Sequence, residues 1–258
     1  MTLVVGIIAK TGVAIAGDRR QTTGGQYSAT ASNDTVQKIF KITDHCGMGI
    51  SGSGEIGVTL VESFLQDKFK EYNKSEPSIL KVADDFRQYA KNKYTEWYQG
   101  PFYEKGKIDY LHIFLAGYEK KGRFSDPKII RMFSPNFEPR TSTTGFTSIG
   151  VPTFANYILN RIYLKNKFKL QEVVDMAVFC ILETASQDGS VSEEIQIATF
   201  SIKQNFKFYN QSKVDEAKSR AREHRINLQR LFLLKRQQKE KSTTRGPKRP
   251  TQTAKKAT

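Results

Sequence analysis

The sequence predicts an α+β fold, a four-layer αββα sandwich in which helices cover the outer faces of two mainly antiparallel sheets. Short β-branched runs occur in two blocks, one at the start of the chain and one in its second half. Paired helical patterns separate these blocks. Strands and helices do not alternate one by one, as they do in parallel α/β folds.

The first element is a β-hairpin. Two apolar runs, Leu3–Ala9 and Val13–Ala16, flank a turn around Thr11-Gly12. Neither run alternates with polar residues, which predicts that both faces of these strands are covered. The polar, small residues from 21 to 33 predict a loop. A further strand is expected from Thr35 to Ile42.

Two amphipathic helices follow a glycine-rich passage at residues 47–54. The first is predicted from Glu55 to Tyr72, with an apolar stripe, and the second from Ile79 to Tyr98. The stripe of the first helix consists of Val58, Val61, Leu65 and Phe69. Aromatic residues are dense in and after the second helix, and we expect them to pack in a core or a subunit contact rather than around a ligand. They are Tyr89, Tyr94, Trp97, Tyr98, Phe102 and Tyr103.

The second half of the chain contains the remaining elements of the sandwich. Its predicted strands are Tyr110–Gly117, Lys128–Phe133 and Ile195–Ile202, and its predicted helices run from Pro152 to Lys165 and from Leu170 to Thr184. His112 lies among apolar strand residues, so we expect a structural role for it.

Positive charge is concentrated at the C-terminus. Residues 213–258 contain 15 Lys and Arg against 4 Asp and Glu, so they hold most of the net charge of +15. We expect one folded domain at 1–210, a basic helical extension at 211–240 and a disordered basic tail at 241–258. The tail fits contact with nucleic acid or an acidic partner, and it equally fits a solubilising extension.

Composition excludes several other classes of protein. No apolar run is long enough to span a membrane, and no secretory signal is recognisable, so we expect a cytoplasmic protein. Cys46 and Cys180 lie in apolar contexts, which favours buried free thiols over a disulfide. The three histidines lack the spacing of metal ligands, so neither a metal nor another cofactor is expected.

Thr2 directly follows Met1, which is normally trimmed when a small residue comes next. Removal of Met1 would leave a hydroxyl and a free amine on the same residue, a pair that can act as nucleophile and base. Four motifs follow Thr2 in a set order. They are the hairpin with Lys10-Thr11-Gly12, then Ala16-Gly17-Asp18 with Arg20, then Val36-Gln37-Lys38-Ile39, and last Ile50-Ser51-Gly52-Ser53-Gly54. Together with Thr2 they resemble the proteasome β-subunit family, which includes the bacterial proteasome-related peptidase. The members are N-terminal-nucleophile hydrolases, and coarser agreement extends to about Ile202.

The resemblance implies a catalytic role for several residues. Thr2 would be nucleophile and base, Lys38 would lower the pKa of the Thr2 amine, and Asp18 would position and neutralise Lys38. Gly52 would donate its backbone N–H to the oxyanion. The resemblance also places Arg20 and Ile50 in the substrate pocket, with an apolar preference above Ile50.

Three departures from the family pattern affect the support of the nucleophile. Ser148 is the nearest match to a serine that supports the amine. Ala185 stands where the family has an aspartate, and Asp188 stands where it has a serine. The loop between Asp18 and Lys38 is also longer than usual.

The resemblance implies a threonine endopeptidase that degrades intracellular protein through an acyl-enzyme on Thr2. Its partners would be other subunits of a ring, unfolded polypeptide substrate and an ATP-dependent unfoldase. Two alternatives remain open: a catalytically silent ring-forming subunit whose basic tail binds a partner or nucleic acid, and a transpeptidase that uses the same nucleophile.

Overall fold

The computed structural model describes residues 2–23, 31–98, 110–119 and 126–243 of the 258-residue chain. The chain divides into two compact units, Met1–Ala221 and Arg222–Thr258. The elements are β1 (Leu3–Ile8), β2 (Val13–Asp18), β3 (Gln21–Thr23), β4 (Ala31–Asn33), β5 (Ile39–Thr43), β6 (Cys46–Gly52), α1 (Gly54–Lys74), α2 (Ile79–Tyr98), β7 (Leu111–Tyr118), β8 (Pro127–Phe133), β9 (Arg140–Thr141), β10 (Phe146–Gly150), α3 (Thr153–Ile162), α4 (Leu170–Ala185), β11 (Ile195–Ser201), β12 (Gln204–Phe208) and α5 (Gln211–Thr243).

Two five-stranded antiparallel sheets form the centre of the first unit. The first sheet has the order β10-β1-β2-β11-β12, and the second has the order β5-β6-β7-β8-β9. The predicted hairpin is confirmed, with Val5 opposite Ala16 in the pairing of β1 with β2. A small ribbon of β3 and β4 lies outside both sheets.

Three apolar clusters account for the layers of the sandwich. One cluster joins the first sheet to α3 and α4, and a second joins the other sheet to α1 and α2. The third lies between the sheets and contains Val4, Ile15, Ile39 and Phe114. The first unit is therefore an α+β sandwich with a helix pair on each outer face, which confirms the predicted fold class.

Glycine allows the two sheets to approach closely near β1. Phe114 on β7 fills the space where side chains at Gly6 and Gly49 would stand, because a β-carbon at either position would come within 2.7 Å of its ring. Any larger residue at Gly6 or Gly49 would push the sheets apart.

The structure corrects several predicted elements. The glycine-rich passage is mostly strand β6, and part of the predicted loop at 21–33 forms β3 and β4. Strand β5 begins only at Ile39, so residues 35–38 are not strand. In α1 the predicted stripe is confirmed for Val61, which is buried, and for Val58 and Leu65, which pack against the same cluster. It is wrong for Phe69, which is 65% exposed.

The predicted roles of the aromatic and cysteine residues are confirmed where the structure describes them. Tyr94 is buried in the cluster under α2, and Tyr89 and Trp97 pack against that cluster. Phe102 and Tyr103 lie outside the described residues. Cys46 and Cys180 are buried free thiols.

Helix α5 begins in the first unit and continues into the second. Val214, Ala217 and Ala221 are buried in the cluster with α4, so the first compact unit extends past residue 210. Arg220 donates to the buried carboxylate of Asp175 on α4. The helix ends at Thr243, and residues 244–258, which carry most of the predicted tail, lie outside the described residues. Within the described ranges, none of the helices has the length and apolarity needed to cross a membrane.

Candidate active site

Thr2 lies immediately before β1 and is held by hydrogen bonds on both sides. Its carbonyl oxygen accepts a hydrogen bond from Val151 N at 2.8 Å. The next amide, Leu3 N, donates to Asp18 Oδ1 at 2.7 Å. Thr2 is only 7% exposed, so its position is fixed by the pairing of β1 with its neighbours.

Asp18 ends strand β2 and connects several segments of the chain. Its Oδ1 accepts from Leu3 N and from Lys38 Nζ, the latter at 3.1 Å. Its Oδ2 accepts from Arg20 N at 3.0 Å and from Ser192 N at 3.3 Å. Burial raises the pKa of the Asp18 carboxyl, and the positive charge of Lys38 opposes this rise. Four donors thus occupy the acceptor sites of the carboxylate.

Lys38 lies just before β5, and its side chain is directed at Asp18. Its Nζ donates to Asp18 Oδ1 and to the carbonyl oxygen of Arg20. The side chain is 6% exposed, and burial lowers the pKa of the amine, whereas Asp18 opposes that change. The backbone is fixed as well, since Lys38 N and Ile39 N both donate to Gln196 Oε1.

The backbone N–H of Gly52 points away from the neighbouring strand β7. Ser53 N donates to Tyr110 O on the β7 side, and Ile50 N donates to Lys38 O on the β5 side. Successive N–H groups of a strand point to opposite sides, so the N–H of Gly52 shares the direction of Ile50 N. Strand β5 begins only after Lys38, and Gly52 and Lys38 line the same cavity. Gly52 has φ +112°, a left-handed conformation that suits glycine.

These residues surround one cavity of about 320 Å³, here called the Thr2 cavity. Five of the predicted site residues line it: Thr2, Arg20, Lys38, Ile50 and Gly52. Asp18 lies behind Lys38 and is completely buried. The remaining walls include the apolar residues Val36 and Val58 and the polar residues Gln37, Ser51, Ser53 and Glu55. The structure therefore brings together the residues predicted for the nucleophile, its tuning cation and the oxyanion donor.

Arg20 forms a bidentate ion pair at the edge of the Thr2 cavity. Its Nε and one Nη donate to the two carboxylate oxygens of Asp34, each at 2.8 Å. This hydrogen bonding lowers the pKa of Asp34 and raises that of Arg20. The other Nη donates to Gly189 O at 2.8 Å. Arg20 thereby connects the cavity wall to the loop that follows α4.

Ser148 lies away from Thr2, contrary to the expected support of the Thr2 amine. In the pairing of β10 with β1 it is opposite Val5, three residues along the strand from Thr2. Its hydroxyl donates to Asn156 Oδ1 on α3 at 2.6 Å. The residue of β10 nearest to Thr2 is Gly150, because a β-carbon there would meet the carbonyl oxygen of Thr2.

Asp188 lies in the loop after α4, where its carboxylate caps a local turn. Its Oδ1 accepts from Ser190 N at 2.9 Å and from Ser190 Oγ at 2.6 Å, and these bonds lower the pKa of Asp188. The same loop supplies the N–H of Ser192 to Asp18. Ala185, at the end of α4, packs against the core cluster beneath the first sheet.

Three residues of the site were missed by the sequence reasoning. Asp34 pairs with Arg20, Ser192 donates to Asp18, and Gln196 holds the backbone of Lys38. Only Gln196 carries a local signal, because it is an amide between the two isoleucines Ile195 and Ile197 of β11. Asp34 and Ser192 lie in polar stretches that resemble ordinary loops. Among the described residues, no group of three His, Cys, Asp or Glu side chains is placed to hold a metal ion.

Comparison with known proteins agrees with this fold. A family model described as proteasome subunit matches residues 2–200. Proteasome subunit beta 1 of Pyrobaculum arsenaticum is 25% identical over 209 residues, covering 80% of this chain and 93% of the relative. The subunit beta 1 of Pyrobaculum calidifontis is 26% identical over 216 residues, covering 83% and 98%. Proteasome subunit alpha type-3 of Saccharomyces cerevisiae is 22% identical over 203 residues, covering 76% and 70%. The family match spans most of the chain, and this chain belongs to the proteasome subunit family.

Proposed function

We propose that this chain is a threonine peptidase of the proteasome type, with Thr2 as nucleophile once Met1 has been removed. One observation carries the proposal: Thr2, Lys38 and Gly52 line a single cavity, and Asp18 accepts hydrogen bonds from both Lys38 and the amide after Thr2. A nucleophile, a nearby cation and an oxyanion donor are the parts that acyl transfer requires.

The first half of the reaction forms an ester. The α-amine of Thr2 takes the hydroxyl proton as Oγ attacks the carbonyl carbon of the scissile peptide bond. The carbonyl oxygen becomes an oxyanion, which accepts a hydrogen bond from the N–H of Gly52. The C–N bond then breaks, and the ammonium of Thr2 returns its proton to the leaving amine.

The second half of the reaction releases the acyl group. Water attacks the ester carbon, the amine of Thr2 takes a proton from that water, and Oγ departs and regains a proton. Lys38 assists both halves because its charge disfavours a second ammonium nearby and so lowers the pKa of the Thr2 amine. Asp18 keeps Lys38 charged in a buried position.

The proposal includes an assembly and a substrate: the chain forms a ring with other subunits, and the ring cleaves unfolded polypeptide. The Pyrobaculum and yeast relatives are named as proteasome subunits, and we carry that assembly to this chain as part of the proposal. An extended chain can place one side chain in the Thr2 cavity. Ile50, Val36 and Val58 favour a moderate-size apolar side chain there. An ATP-dependent unfoldase is the kind of partner that would supply such a chain.

Labelling of the N-terminal residue tests the proposal. Intact mass should show the loss of Met1, and a bifunctional electrophile that must react with both the hydroxyl and the amine of one residue should add to Thr2. Thr2→Ala should abolish labelling and peptide cleavage, whereas Thr11→Ala, which alters a threonine in the β1–β2 turn, should leave both intact. Retention of Met1 in the assembled protein would contradict the proposal.

A silent subunit is the second candidate, and two observations favour it. Ser148 is engaged with Asn156 instead of Thr2, and Ala185 brings no carboxylate to the loop beside the site. In that case the chain would contribute to a ring without cleaving peptides. Absence of labelling in a chain that has lost Met1 would favour this candidate.

A further inference from the structure

Ser51 has a buried hydroxyl without a hydrogen-bond partner, beside Thr2. The residue is 5% exposed and lines the Thr2 cavity. Among the described residues, no donor or acceptor contacts its Oγ. Burying an unpaired hydroxyl costs free energy, so a partner that joins the site later would recover that cost.

The side chain of Ser51 is directed toward β1. Side chains alternate along β6, and Ile50 packs in the cluster with α1 and α2 on the outer face. Gly49, on the inner face, is so close to β1 that a β-carbon there would lie 2.9 Å from Val4 Cγ1. Ser51 shares the inner face with Gly49. It lines the same cavity as Thr2, and Thr2 lies two residues before Val4 along the chain.

Two charged residues of the site, Asp18 and Lys38, are not available as acceptors for the amine of Thr2. Four donors occupy the two oxygens of Asp18. Lys38 is a cation and brings no acceptor. On the β10 side, the two residues nearest to Thr2 are Ile149 and Gly150, and neither carries a hydroxyl. Besides Thr2 itself, two hydroxyl-bearing residues line the Thr2 cavity, Ser51 and Ser53, and Ser51 is the buried one, with an unpaired oxygen that can accept.

We propose that Ser51 is a positioning residue whose hydroxyl oxygen accepts a hydrogen bond from the α-amine of Thr2. This inference rests on the proposed function. A free amine has two N–H groups and one lone pair. With one N–H held by Ser51, the lone pair is aimed at the hydroxyl of the same residue, where it takes the Oγ proton. Ser51 itself forms and breaks no covalent bond.

The charged and titratable groups around this amine come from several elements. They are Lys38, Arg20 and Glu55 on the cavity wall, Asp18 behind Lys38, His112 opposite Ser51 on β7, and Asp188 in the loop after α4. An ammonium donates a stronger hydrogen bond than a neutral amine. Loss of the Ser51 acceptor therefore lowers the pKa of the Thr2 amine, and the acid limb of the rate profile moves to lower pH.

The test compares Ser51→Ala with the unaltered chain, using the pH profile of kcat/KM for a peptide substrate and the rate of electrophile labelling at Thr2. We expect the plateau of kcat/KM to fall about tenfold, the effect of one net hydrogen bond. The acid limb should move to lower pH, and the Tm should not fall, because an unpartnered hydroxyl is removed. Thr147→Val is the matched control, since Thr147 is 3% exposed and its Oγ1 also lacks a partner, yet it lies outside the Thr2 cavity.

The outcomes separate the two proposals. If the unaltered chain cleaves peptides and Ser51→Ala gives the same plateau and the same acid limb, the role of Ser51 is wrong and the proposed function stands. An equal change of the plateau and the acid limb in Thr147→Val would also overturn the role of Ser51, because any buried unpaired hydroxyl would then have the same effect. If the unaltered chain neither cleaves nor labels, the proposed function fails, and the inference about Ser51 fails with it.

Discussion

The carbonyl oxygen of Thr2 occupies the place of a side chain at Gly150, because a β-carbon there would lie 1.7 Å from it. Gly150 also has φ +95°, a conformation that L residues rarely adopt. We expect Gly150→Ala to cost about 1–3 kcal/mol of stability and to remove activity by displacing Thr2. Urea denaturation and peptide cleavage measure the two effects.

Gly189→Ala is the control for this substitution. A β-carbon at Gly189 meets nothing within 4 Å, and the carbonyl that accepts from Arg20 is retained. Its stability should change by less than about 0.5 kcal/mol, as for ordinary surface substitutions. Equal losses in both variants would contradict the special role of Gly150.

The decline of kcat/KM at high pH should follow the deprotonation of Lys38. The proposed mechanism needs the protonated amine, and burial lowers its pKa below the ordinary value of 10.5. Because the pKa is lowered, the charge is lost earlier as pH rises, so kcat/KM should decline below pH 10.5. Lys38→Arg should move the limb of any residual activity upward, since a guanidinium does not titrate in this range. If the unaltered chain and Lys38→Arg show the same decline at high pH, a group other than Lys38 causes it.

Asp18 and Asp34 both pair with basic side chains of the site, but their substitutions should differ strongly in the stability that they cost. Asp18→Asn leaves Lys38 charged, buried and uncompensated, and we expect a loss of about 3–5 kcal/mol. Asp34→Asn weakens a partly exposed pair with Arg20, and the loss should be below about 1 kcal/mol. Urea midpoints of the two variants measure the difference. Similar midpoints would mean that Lys38 is solvated.

Truncation should separate the two parts of α5. Removal of residues 222–258 leaves Val214, Ala217, Ala221 and the Arg220–Asp175 pair in place, so stability should be nearly unchanged. Removal of residues 212–258 takes these groups away and should cost about 3 kcal/mol or more, from lost apolar burial. Thermal unfolding of both truncated chains tests this, and equal Tm values would contradict it.

The sequence was informative wherever local patterns decide the structure. The apolar hairpin of β1 and β2 and the bounds of α2 follow from periodicity, and both were predicted. The motif order also indicated that Asp18, Lys38 and Gly52 belong near Thr2, and the structure places them there. Such features depend on residues close in sequence or on an ordered set of motifs.

Features that depend on distant neighbours could not be predicted. Strand β6 contains Gly47 and Gly49, which disfavour a strand, and they are required because Phe206 and Phe114 fill the adjacent space. The placement of Ser148 depends on the pairing of β10 with β1, and a shift of one residue reverses which face a side chain takes. The contacts of Asp34 and Ser192 likewise join segments far apart in the chain.

The ion pair of Asp18 and Lys38 crosses from one sheet to the other. Asp18 belongs to β2 in the first sheet, and Lys38 directly precedes β5 in the second. In the proposed mechanism, Lys38 can assist Thr2 only after the two sheets have packed together. Under that proposal a half-folded chain lacks the cation that assists Thr2, so cleavage would be delayed until the sandwich is complete.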